Sequence, residues 1–301
     1  MQTKILGIVN VTPDSFFDGS IDALSVESAV TKALRLRDEG ADVIDIGGES
    51  TRPGFEPVSV EEELARVLPV IRVLRLADPS LTLSIDTRKP EVVREALETG
   101  VEILNLYGGL NFEMIDAILF DRPKQIIVYH VDDVRAQSTE SAIRTIETFF
   151  EEQRCIAIRY GLCSAKDVDD VILLDPGIGF GKTLEQTREI LRRGPHVIDV
   201  SRKSHLGQIL QQQLSLGEVA PKEERLEAGL AETAFAILSQ QKTVAPRTVF
   251  VRTHDVLTTK RFLAVLDWLE SYSYGGSHAK YPDDDSGSLS CSQSSHWCEH
   301  D

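Results

Sequence analysis

What this chain lacks narrows its class quickly. Its 301 residues hold no apolar run near the roughly 18 residues that a membrane-crossing helix needs, so no membrane partner is expected. It has no surplus of positive charge: 32 Lys and Arg stand against 48 Asp and Glu, a net charge of −16, which argues against a nucleic-acid surface. Cysteine is scarce, with four at 155, 163, 291 and 298. They form neither zinc nor redox spacing, which suits a reducing cytoplasm. The first strand-like run begins at residue 4, which leaves no room for a secretory leader. No internal repeat of tens of residues stands out. What is there, 42% hydrophobic and 27% charged, is the composition of a soluble globular protein able to bury a sizeable core.

Apolar strand-like runs alternate with amphipathic helical runs. Candidate strands are 4–10, 42–47, 81–86, 101–106, 125–130, 171–175, 196–201 and 248–253. Residues 25–39 place Val26, Ala29, Val30, Ala33, Leu34 and Leu36 at helical spacing. Similar patterns cover 59–76, 90–99, 139–161, 223–240 and 257–270, and Ser59 with Glu62 matches a capping box. Eight strand–helix units predict an α/β fold, a (β/α)8 TIM barrel over 1–270, with an open doubly wound sheet as the alternative. From 271 to 301 the composition turns to Ser, Gly, Asp and Tyr, which reads as a disordered tail. The tail carries −4 of the charge and leaves −12 on the body. Its Cys291, His296, Cys298 and His300 could meet a metal only loosely, and a solvated tail is the favoured reading.

In a barrel of this kind, chemistry sits where strands end. The first strand, Ile5 to Val9, delivers Asn10 to a rim and runs into a polar segment, NVTPDSFFDG. The second ends in DIGGESTRPG, whose glycines permit tight turns and whose Thr51 and Arg52 suit an anionic or polar ligand. An ordinary βα turn with a surface arginine would read the same way. The third ends at Asp86, which could accept from an amino-heterocycle or cap the helix begun by Pro90. Asn105 ends the fourth, either a ligand contact or a satisfied core amide. The sixth ends in DPGIGFGKT, which is neither a Walker A loop nor a dinucleotide turn, because Pro176 and Lys182 stand where glycines are needed. There Asp175 offers a carboxylate and Phe180 an apolar contact. The seventh ends in Ser201-Arg202-Lys203-Ser204, and the eighth in Arg252-Thr253-His254. Arg252 and His254, two apart, share a face. In so acidic a chain, this gathering of Arg52, Arg202, Lys203, Arg252 and His254 at strand ends points to an anionic substrate.

The motifs NVTPDSF, DIGGESTRPG, IDT, DPGIGFGK, SRKS and RTHDV, in this order over residues 4 to about 270, resemble those of the dihydropteroate synthases. The resemblance implies condensation of 6-hydroxymethyl-7,8-dihydropterin pyrophosphate with p-aminobenzoate to 7,8-dihydropteroate, in the cytoplasm. It implies a pterin pocket of Asp86, Asn105, Asp175, Phe180, Lys203 and Arg252. It places Phe16, Thr51, Arg52, Pro53, Lys203 and Ser204 on the p-aminobenzoate side. Pyrophosphate falls to Asn10, Arg52, Arg252 and His254, with Mg2+ near Asn10. The expected catalytic residues are Asn10, Lys203, Arg252 and His254. The resemblance also implies sulfonamide binding, no fused pterin kinase domain ahead of the barrel, and a homodimer packed through barrel helices.

The chain departs from the family pattern at four places. Leu106 follows Asn105 where an acid is usual, Tyr129-His130-Val131 replaces Met-His-Met, Thr187 replaces an Asn, and Asp199 replaces a Gly. Asp199 needs a cation beside it, such as Arg202, if it lies in a buried strand. Two other readings stay open on these residues: a pterin-binding paralog without catalysis, and a barrel like the methyltetrahydrofolate–corrinoid methyltransferases. The latter class handles no diphosphate and lacks NVTPDSF and SRKS.

Overall fold

The computed structural model describes residues 2–12, 23–50, 56–240 and 248–273. The elements alternate as expected. They run β1 (Gln2–Asn10), α1 (Ala23–Asp38), β2 (Val43–Gly47), α2 (Val60–Ala77), β3 (Leu83–Thr87), α3 (Pro90–Glu98), β4 (Ile103–Tyr107) and α4 (Phe112–Ile118). There follow β5 (Gln125–Tyr129), α5 (Thr139–Arg159), α6 (Val168–Val171), β6 (Ile172–Asp175), α7 (Leu184–Arg192) and β7 (Val197–Ile198). The chain continues with α8 (Ser204–Leu214), a 3-10 turn (Lys222–Glu224), α9 (Leu226–Gln240), β8 (Thr248–Thr253) and α10 (Val256–Ser273). The sheet order is β6-β5-β4-β3-β2-β1-β8-β7, every pair parallel. The two end strands, β6 and β7, lie against each other, so the sheet is a nearly closed barrel and the open-sheet alternative falls.

Local chemistry explains the helix starts. Ser59 caps α2 by accepting from Glu62 N–H at 3.1 Å. The reciprocal half of the expected box does not form, because the Glu62 carboxylate pairs with Arg66 on the next turn. A complete box sits at α7, where Thr183 and Gln186 cap each other. Helices α4, α6, α7 and α8 are all additions to the predicted set. Helix α10 continues through Ser273, past the expected boundary at 270. The rest of the predicted tail, 274–301, lies outside the described residues.

Two apolar clusters hold the molecule together. The larger lies between the strands and the surrounding helices and includes Ile44, Ile46, Leu83, Ile85, Leu104, Leu106 and Val251. The smaller fills the barrel itself: Leu6, Val43, Ile103, Ile127, Leu173, Val197 and Phe250. Strand side chains alternate between two faces, so this inner plug fixes which residues of each strand point inward.

Candidate active site

Two residues beyond the plug the interior turns polar on six strands, while β1 passes through Ile8 before reaching Asn10. Val43 is followed inward by Asp45, Ile103 by Asn105, Ile127 by Tyr129, Leu173 by Asp175, Val197 by Asp199 and Phe250 by Arg252. On β3, Leu83 and Ile85 face the helices, which leaves Ser84 and Asp86 inside. The apolar plug thus forms the floor of a polar mouth at the carboxyl ends of the strands.

Arg252 is the hub. Its Nε donates to Asp45 Oδ2 at 2.8 Å, its Nη2 to Asp86 Oδ2 at 2.8 Å and its Nη1 to Asp199 Oδ2 at 3.3 Å. A guanidinium holds its donors in a rigid planar fork, which suits three carboxylates placed around it. Asp199 also faces Lys203 Nζ at 3.0 Å. The cations that the buried Asp199 requires are therefore Lys203 and Arg252. Arg202, the expected partner, turns to the rim and grips Asp255 instead, with Nε 2.9 Å from Oδ2. Beyond Ile198 the chain leaves the ladder, so the predicted strand 196–201 keeps only two paired residues.

Four carboxylates around two principal cations cannot all ionise freely. Burial raises the Asp86 carboxyl to about 7, with Arg252 opposing the rise and Asp45 adding to it. Burial likewise raises Asp175 to about 6, with Asp199 adding to it and Lys203 opposing. For Asp199, burial pushes upward but Lys203 and Arg252 outweigh it and hold the carboxyl low.

The mouth has more acceptors than donors. Asp45 Oδ1 and Asn105 Oδ1 are buried with no hydrogen-bond partner. The Asn105 Nδ2 donates to Asp45 Oδ2 at 3.1 Å. The amide therefore offers its oxygen to the interior. Asp86 does not cap α3, whose N-cap position is Lys89. A planar ligand edged with N–H groups fits this inventory better than one edged with acceptors.

The turn after β6 closes one side. Asp175 Oδ1 accepts from Gly177 N–H at 2.7 Å. Gly177 has φ +68°, and a Cβ there would lie 1.8 Å from the carbonyl oxygen of His130. Only glycine fits. Lys203 Nζ donates to the Ile178 carbonyl and lies 5.4 Å from the centroid of the Phe180 ring. Phe180, Tyr107 and Tyr129 form an aromatic wall, with centroids 5.4 to 5.9 Å apart.

The remaining predicted residues divide. Asn10 ends β1, half-buried, with its side-chain oxygen beside Gly47. His254 follows β8; its Nδ1 lies 3.0 Å from the Ser201 hydroxyl, which also accepts from the His254 backbone N–H at 3.2 Å. Burial, with Arg252 and Arg202 nearby, lowers the imidazole to about 3, so it is neutral at physiological pH. Ser204 is exposed at the first turn of α8, directly after Lys203. Phe16, Thr51, Arg52 and Pro53 lie outside the described residues. Glu49, just before them, accepts from Arg88 and Lys89 at 2.7 Å and ties the end of β2 to the end of β3.

Sequence reasoning missed Asp45 and Tyr129 as members of this mouth, and regarded Asp199 only as a departure. Each has the same strand parity as an interior plug residue two positions earlier, but which face of a strand is the interior one follows only from closure of the barrel.

Similarity to known proteins agrees with this geometry. The sequence profile of the family described as "Pterin binding enzyme" matches residues 6–244. A dihydropteroate synthase of Clostridium beijerinckii is 36% identical over 272 residues, 88% of this chain and 94% of that protein. The crystal structure of a dihydropteroate synthase from Clostridium difficile, in the presence of pteroic acid, superposes with a TM-score of 0.76 at 35% identity, covering 89% of this chain and 97% of that one. That of Xanthomonas albilineans, with 4-aminobenzoic acid, gives 0.74 at 32% identity, covering 91% and 94%.

Proposed function

This chain belongs to the pterin-binding enzyme family, and we infer that it catalyses the dihydropteroate synthase reaction. It joins 6-hydroxymethyl-7,8-dihydropterin pyrophosphate to p-aminobenzoate, giving 7,8-dihydropteroate and pyrophosphate. The observation that carries this reading is the acceptor-rich mouth around Arg252, with Asp45, Asp86 and Asn105 directed inward from successive strands.

The pterin ring presents an amino group and ring N–H groups along one edge. Asp86, Asp175 and the Asn105 oxygen would accept from them, while Lys203 donates to the ring's acceptors. Phe180 supplies an apolar wall. Arg252 would sit beneath these acceptors as their counter-charge. His254, held neutral, would donate to the leaving pyrophosphate rather than act as a cation, alongside Asn10 and Arg52. Phe16, Thr51, Pro53 and Ser204 would shape the p-aminobenzoate side. The amine of p-aminobenzoate attacks the methylene carbon as the C–O bond to pyrophosphate breaks. Stabilising the departing charge is the main catalytic term.

No cluster of three or more His, Cys, Asp or Glu among the described residues could hold a metal alone. Asn10 offers one hard oxygen donor, which suits a Mg2+ ion that brings phosphate oxygens and water as its other ligands. Such an ion would supply charge neutralisation on the pyrophosphate. No helix among the described residues is long and apolar enough to cross a membrane, which is compatible with a cytoplasmic enzyme. The part-exposed Phe235 and Leu238 of α9 give a homodimer an apolar face to use.

The decisive assay is pyrophosphate release from the pterin pyrophosphate with Mg2+, with and without p-aminobenzoate. Release that requires p-aminobenzoate and yields dihydropteroate supports the synthase. Pterin binding without release selects the non-catalytic reading. Lys203→Ala should lower kcat/KM for the pterin substrate at least about tenfold by removing one charged donor. An unchanged rate removes Lys203 from the site.

A further inference from the structure

Tyr129 is the last residue of β5, paired in the ladder with Tyr107 of β4 and Asp175 of β6. Its ring is buried, 5% exposed, held edge-on by Tyr107 at 5.4 Å and tilted against Phe180 at 5.9 Å. Its hydroxyl donates to Asp86 Oδ1 at 3.0 Å. The other oxygen of that carboxylate, Oδ2, accepts from Arg252 Nη2 at 2.8 Å. The torsion of a carboxylate about its last bond is soft, and one anchor leaves it free to swing. Two donors on different oxygens fix its plane. Each oxygen keeps a second lone pair for a ligand.

Resting on the pterin reading above, we propose that Tyr129 is a positioning residue for substrate recognition: it orients Asp86 so that both carboxylate oxygens meet the adjacent amino and ring N–H groups of the pterin edge. The role extends to specificity. A fixed pair of acceptors matches two neighbouring donors and repels a ring that carries an oxygen in place of the amino group. A carboxylate free to rotate discriminates less, because it can turn one oxygen away from the mismatch. Tyr129 stands where the sequence departs from its family pattern, so this device belongs to this chain's own pocket.

Tyr129→Phe keeps the aromatic packing and removes only the hydroxyl. The probe is 6-hydroxymethylpterin, titrated against wild type and variant by fluorescence, with lumazine as the 2-oxo comparison. The variant should bind the pterin about tenfold more weakly, because a carboxylate with one anchor must be ordered as the ligand binds. Its preference for pterin over lumazine should narrow. In turnover, KM for the pterin pyrophosphate should rise while KM for p-aminobenzoate stays within about twofold, a split that general loosening of the fold would not produce. The titration of Asp86 should also move upward. The groups facing it are Arg252, Asp45, Asp199 and Tyr129, and only the last changes. Equal pterin affinity in the two proteins overturns the proposal, as does a parallel rise in both KM values. Failure of the wild type to bind pterin overturns the pterin reading itself.

Discussion

Arg252 Nε and Asp45 Oδ2 lie 2.8 Å apart across the inside of the barrel, 207 residues from one another in the chain. The pair joins β8 to β2, on either side of β1. Asp45 is fully buried, and its Oδ2 also takes the Asn105 amide. Removing one partner strands the other away from water. Asp45→Ala should destabilise the protein by about 3–5 kcal/mol, the cost of breaking a buried ion pair. Urea denaturation gives the number; a loss within about 1 kcal/mol would show that Asp86 and Asp199 alone satisfy Arg252.

Arg252→Lys tests the geometry of the hub rather than its charge. An ammonium is a point donor on a flexible stem and cannot reach three carboxylates placed around a planar fork. The charge is kept, so any loss reports the guanidinium. Pterin turnover should fall at least about a hundredfold. Activity within a few-fold of wild type would reduce the hub to simple charge balance.

Glycine substitutions separate backbone strain from collision. Gly177 and Gly161 have nearly the same φ, +68° and +69°. A Cβ at Gly177 would strike the His130 carbonyl, whereas nothing lies within 4 Å of one at Gly161. Gly161→Ala should cost about 1–2 kcal/mol, the left-handed penalty alone. Gly177→Ala should cost at least about 3 kcal/mol, because β5 or the turn after β6 must move. Thermal melting of the two variants side by side makes the comparison.

The buried imidazoles set part of the acid response. Burial, with Lys182 beside it, lowers His130 from 6.5 to about 4. Between these values the unfolded chain holds a proton that the folded chain does not. The stability from this source is therefore complete above pH 6.5 and is lost as the pH falls toward 4. Asp86 and Asp175 act with the opposite sign. Raised from 3.8 to about 7 and about 6, they keep protons in the folded state. Their contribution is greatest at low pH and is lost as the pH rises through those values. His130→Asn should reduce the loss of unfolding free energy between pH 6.5 and 4 by on the order of 2 kcal/mol. Denaturation curves across that range would reveal it, and an unaltered slope would mean that His130 does not titrate there.

The alternation of strand and helix, and the polar residues at strand ends, were legible because the signals are local. Residues 42–47 and 101–106 read as strands from a few neighbours, and α2 announces itself through Ser59 and a helical apolar spacing. Asp86, Asp175, Lys203 and Arg252 were legible as a polar group at one rim because polar residues interrupt apolar runs at the strand ends. Helices α4 and α7 were not, since one is only seven residues long and the other, nine residues long, starts directly behind a Gly-rich motif. The strands are covered by helices on one side and by the plug on the other, so both of their faces are apolar and the sequence carries little of the alternation that marks an inward side. Which residues meet inside the barrel is a matter of closure and register. Bringing Asp45, Asp86, Asp199 and Arg252 together, and leaving Arg202 to Asp255, was decided only by the tertiary structure.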